Sequence, residues 1–120
     1  MNWYLSKIIY RIICGDGDHT PQFDEQLRLI NAIDEDEAFR KAVTIGEREQ
    51  ERFYNHEHKL VQWKFINVAE LYKLSGLLDG AEVYSRIQET DDPDRYIEFT
   101  NRKAAHIQQG SATHKLLELL

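Results

Sequence analysis

The stretch Leu60-Val61-Gln62-Trp63-Lys64-Phe65-Ile66-Asn67-Val68-Ala69-Glu70-Leu71 decides the fold. Val61, Trp63, Phe65 and Ala69 share one parity and Gln62, Lys64, Ile66 and Val68 the other, the period-two arrangement of a strand lying on a core. Working back toward the amino terminus, Phe23, Leu27 and Leu29 alternate with Asp24, Gln26 and Arg28, which predicts a strand over 23–32 with one wet face. Residues 3–14, dense in Ile, Tyr and Trp, suit a pleated surface and predict a further strand. Between those two lies Cys14-Gly15-Asp16-Gly17-Asp18-His19-Thr20-Pro21, whose glycines and proline mark a turn.

Asp34 stands three residues before Glu37, a capping-box-like start, and Ala38, Phe39, Ala42, Ile45, Gly46 and Phe53 recur at helical spacing, which predicts a helix over 35–54. Beyond the 60–71 strand, Ser75-Gly76 and Asp79-Gly80 bracket a turn. Ala81, Val83 and Ile87 then alternate with Glu82, Tyr84, Arg86 and Gln88, which predicts a fourth strand. Asp92-Pro93 opens a second helix with a capping side chain and a proline at the first position, ending near Gly110. The order ββαββα predicts an α+β domain over 1–109: a four-stranded antiparallel sheet with two helices on one face, a permuted ferredoxin-like arrangement. Residues 110–120, carrying Leu116, Leu117, Leu119 and Leu120, are read as an apolar carboxy-terminal tail with a short helix.

The chain has 120 residues and a formal net charge of −6, a size that buries one core. No long basic run offsets the acidic excess, so the phosphate-backbone footprint of a nucleic-acid binder is missing. The apolar amino-terminal stretch is interrupted by Lys7 and Arg11 and carries no cleavage pattern, which argues against a signal peptide or a membrane span. A single cysteine, Cys14, forms no intrachain disulfide, and a cytoplasmic location is the expectation.

Residue types that carry chemistry are present without the spacing that chemistry needs. Counted from Asp16 as a calcium loop, the sixth position is Pro21 and the twelfth Leu27, where glycine and glutamate are required. His56 and His58 lack a third ligand at a defined distance. Cys14 and His19 lack an orienting acid and oxyanion donors. The acidic runs 34–37 and 91–94 sit where helix amino termini favour negative charge. The reading assigns no catalytic residue, no metal and no cofactor. It places the candidate function on the sheet face away from the helices, with Lys64, Glu82, Tyr84 and Arg86 as a binding surface and Trp3, Leu5, Ile9 and Ile66 as a dimer face. A homodimeric binding or protein-interaction module, with a possible further protein partner, is the expectation. A small enzyme or small-molecule sensor with a pocket on the sheet face is the alternative.

Trp3-Tyr4, the helix with Gly46, Tyr54-Asn55, VQWKF at 61–65, ELYKL at 70–74 and DGAEVYSR at 79–86 occur in an order that resembles a bacterial domain-of-unknown-function family, number 4288, over about residues 2–107. The resemblance implies no activity. It directs attention to Trp63, Lys64 and Phe65, and to Asp79, Gly80, Glu82, Tyr84 and Ser85.

Overall fold

In a computed structural model, residues 1–110 are described. Their elements run β1 (Asn2–Cys14), β2 (Gln22–Ala32), α1 (Glu35–Arg48), β3 (Glu51–Tyr54), β4 (Leu60–Lys73) and α2 (Pro93–Gln108). The strands form one antiparallel sheet in the order β2-β1-β4-β3, with the two longest strands in the middle and β2 and β3 at its edges. The chain divides into two compact units, Met1–Ser85 and the remainder from Arg86. The first holds the whole sheet and α1. The second holds α2, whose start is fixed as the sequence implies: the Asp92 carboxylate accepts from the Arg95 N–H at 3.1 Å and Pro93 opens the helix. The tail helix expected in 110–120 lies outside the described residues.

The α+β class and the ββαββα order hold, while two elements sit elsewhere than expected. The first helix ends at Arg48, not Tyr54. Glu51–Tyr54 pairs with β4 from Glu51 opposite Trp63 to Tyr54 opposite Leu60, so Phe53 stacks on Trp63 at 6.1 Å instead of continuing the helix face. Pairing and ring contact outweigh the local helical spacing. Asn55 closes the hairpin, its side chain accepting from the Glu57 and Lys59 N–H groups, with His58 in the left-handed region at φ 61°.

The strand expected at 81–88 is not formed. Both sides of β1 are occupied, by β2 and β4, and β3 takes the outer side of β4. Tyr84 lies instead against side chains of the sheet: its ring meets Tyr72 edge-on at 5.8 Å and the Lys7 ammonium at 5.7 Å.

The period-two reading of 60–71 also breaks, because β4 shifts register against β1 between Lys7 and Ile8 and again between Ile9 and Tyr10. Each bulge inserts one residue and inverts the facing of the residues beyond it. Val68 and Leu71, on opposite parities, therefore both pack on the core cluster of Tyr4, Ile30, Ala32, Ala38 and Ala42.

Helix α1 begins where Asp34 accepts from the Glu37 N–H at 2.8 Å, while Glu37 accepts from the Ile33 N–H at 3.3 Å. It lies on the sheet through Ala38, Ala42 and Gly46, all buried and four residues apart. The Tyr10 hydroxyl donates to the Gly46 carbonyl at 2.9 Å, and a Cβ at position 46 would collide with the Phe65 ring. Gly46→Ala is expected to lower stability by about 1–3 kcal/mol, the usual range for overpacking, read as a reduced midpoint in urea unfolding.

Candidate functional site

Register assigns the two faces of the sheet. Tyr4, Ser6, Ile8 and Tyr10 of β1 face α1; Trp3, Leu5, Lys7, Ile9 and Arg11 face outward. Opposite them on β2, Ile30, Arg28, Gln26 and Asp24 lie on the α1 side, and Leu29, Leu27, Glu25 and Phe23 on the outer side.

The alternation of β2 is therefore inverted relative to burial. Its apolar row is the open one, with Phe23, Leu27 and Leu29 at 55%, 50% and 51% exposure, while Asp24, Gln26 and Arg28 are half-buried. The polar row forms a chain past the end of α1. The Trp63 indole N–H and the Gln26 amide both donate to Asp24 Oδ2, at 3.1 and 2.7 Å. The Gln26 carbonyl accepts from Arg28 Nε and Nη2 at 3.2 and 2.8 Å, and Arg28 pairs with Glu49, the residue closing α1, at 2.9 Å. Tyr10 and Trp63 border a cavity of about 510 Å³ beside this chain. Burial pushes the Tyr10 hydroxyl above its ordinary value, with the Glu49 charge adding to it.

On the outer face Lys7 is the centre of a tether. Its ammonium meets Glu70 at 3.0 Å and Glu25 at 3.5 Å and sits over Tyr84. The bond to Glu70 raises the Lys7 pKa, and desolvation, followed by the Glu70 charge, raises that of Tyr72. Arg11 lies over the Phe23 ring at 5.9 Å and beside Lys64 across the ladder.

Of the residues singled out in the sequence, Trp3, Leu5 and Ile9 share the outer face with Tyr84. Leu5 is buried, opposite Tyr72, and Ile66 is the exposed residue inserted at a bulge. Lys64 and Glu82 are exposed; Glu82 and Tyr84 border a cavity of about 360 Å³ with Tyr72 and Leu74. Arg86 begins the second unit.

His19 serves the hairpin backbone, its Nε2 accepting from the Cys14 N–H at 3.0 Å while Nδ1 donates to the Thr20 carbonyl at 2.8 Å. Among the described residues no group of three or more His, Cys, Asp or Glu is placed to hold a metal ion, and no helix is long and apolar enough to cross a membrane. The polar chain from Trp63 to Glu49 escaped sequence reasoning because it needs two strands and a helix end. Its one local signal is the i, i+2 spacing of Asp24, Gln26 and Arg28.

A family model described as "Domain of unknown function (DUF4288)" matches residues 3–85, ending where the first compact unit ends. No curated protein and no solved structure matches.

Tyr84→Ala is expected to speed amide hydrogen exchange in residues 75–85 while leaving β1 and α1 protected. The upward shifts of Lys7 and Tyr72 both stabilise the fold fully below their ordinary values of 10.5 and 10.0, and that stabilisation disappears as pH rises through the folded values. Urea midpoints followed from about pH 8 to about pH 12 should therefore fall less steeply in Lys7→Met than in the parent, with Tyr72 and Tyr10 leaving a residual slope of the same sign in both.

Proposed function

The chain belongs to this family of unknown function, and from that premise we propose that it is a protein-interaction module that works as a homodimer rather than as a catalyst. The observation that carries this reading is the inverted alternation of β2. A strand that keeps Asp24, Gln26 and Arg28 against α1 and leaves Phe23, Leu27 and Leu29 half-exposed gives up local burial that a monomer would use. Trp3 is exposed on the same side, and the surrounding charges, Arg11, Lys64 and the Lys7–Glu25 pair, form a polar rim. An apolar strip with a charged border is the composition of a protein contact.

A second reading, a small-molecule sensor, draws on the cavity of about 510 Å³ beside Tyr10 and Trp63. Its volume lies within the range of ligand sites, and its polar groups are held by one another. Their mutual pairing favours a structural role for them over capture of a ligand.

Light scattering over a range of concentrations separates the readings. The parent is expected to be a dimer, and Leu27→Glu to raise its dissociation constant by about tenfold or more with the far-ultraviolet circular dichroism unchanged. A parent that stays monomeric removes the homodimer from the proposal.

A further inference from the structure

We infer that the second copy docks on the free edge of β2, strand against antiparallel strand, with Gln26 on the two-fold axis, so that two four-stranded sheets become one. The inference deepens the homodimer proposed above and rests on it.

The two edges of the sheet differ. β3 offers four residues, short enough to be a poor template, whereas β2 offers eleven and, among the described residues, has no strand on its outer side. Edge strands are ordinarily blunted by charged side chains, lysine above all, by inward-pointing charges, by proline or by a bulge. β2 contains neither lysine nor proline, its register with β1 runs unbroken from Gln22 to Ala32, and its inward charges, Asp24 and Arg28, are of opposite sign, so that a second β2 can pair them. Such an edge presents a row of backbone donors and acceptors to any strand of matching pattern, and a second β2 matches by construction.

Charge selects the register. Centred on Glu25, the pairing opposes Glu25 to the partner's Glu25; centred on Arg28, it opposes two guanidinium groups, and both are destabilising. Centred on Leu27, it sets Asp24 against the partner's Ile30. Centred on Gln26, it sets Asp24 opposite the partner's Arg28 and Arg28 opposite the partner's Asp24, and on the outer face Phe23 opposite the partner's Leu29 and Leu29 opposite the partner's Phe23.

The charged groups have capacity to spare for this. Asp24 uses Oδ2 for both of its bonds, leaving Oδ1, and Arg28 uses Nε and Nη2, leaving Nη1. The chain from Trp63 to Glu49 thus holds in place the two charges that a second copy would meet. On the outer face Phe23 and Leu29 thus meet at the two ends of the pairing, while Glu25, held by Lys7 of its own chain, stands opposite the partner's Leu27 on either side of the axis.

The test uses the full chain with Cys14→Ser. Adding Gln26→Cys should give a disulfide-linked dimer under mild oxidation, because directly opposed residues of antiparallel strands lie within disulfide reach; adding Glu25→Cys in its place should cross-link at least about tenfold more slowly, since its copies are offset. As a second measurement, Asp24→Arg and Arg28→Asp should each raise the dissociation constant by about tenfold or more, and mixing these two variants should restore a heterodimer. A parent that light scattering finds monomeric overturns the edge pairing together with the homodimer. A parent that is dimeric, yet fails to cross-link at Gln26 and ignores both charge reversals, overturns the edge pairing alone and leaves the homodimer standing.

Discussion

The closeness with which α1 lies on the sheet sets most of the first unit. Ala38, Ala42 and Gly46 carry almost no side chain on the buried stripe, so the helix backbone comes down until the Phe65 ring fills the space a Cβ at Gly46 would need. At that distance the Tyr10 hydroxyl reaches the Gly46 carbonyl, a bond between a central strand and the last turn of the helix. Large residues on the stripe would lift the helix and leave Tyr10, only 1% exposed, with a buried hydroxyl and no acceptor.

A helix held this low and ended at Arg48 covers only part of its face of the sheet. The remainder is closed by polar side chains. Arg28 and Glu49 pair across the helix end, Gln50 accepts from the Phe65 N–H at 2.9 Å, and Asp24 holds the Trp63 indole. Once these polar groups are paired on the inner side, the apolar residues of β2 have only the outer side to occupy. The inverted alternation of β2 and the short α1 are two sides of one constraint.

That constraint also separates the elements legible in the sequence from those that were not. β1, β2 and the starts of both helices were readable because local signals decide them: β-rich composition, period-two alternation, Asp34 with Glu37, and Asp92 with Pro93. β3 was hidden because Glu51–Tyr54 continues a helical spacing and becomes a strand only by pairing with β4. The 81–88 segment alternates like a strand, yet the inner positions beside β1 and β4 were already taken. Alternation in β2 could be seen, but which row is buried depends on where α1 ends. The Lys7–Glu70 pair was invisible for a related reason: it is opposed only after two bulges have shifted β4. Tyr84 reaches the outer face from an irregular segment and not from the strand its alternation implies.

The outer face is in consequence divided. Toward β4, Tyr84 packs on Tyr72 and Lys7, and Leu5 and Leu74 are buried. Toward β2, no tether of that kind from the described residues reaches Leu27 or Leu29, and both stay half-exposed. Lys7 marks the boundary, because its ammonium joins Glu70 on one side to Glu25 on the other. A self-contained monomer would be expected to carry its covering segment across the whole apolar surface, since each half-exposed leucine forgoes about half of the roughly 1.5–3 kcal/mol that full burial gives. The described residues thus cover one half of the outer face and leave the other beside the eleven-residue edge of β2, and it is on this division that the proposed contact with a second copy rests.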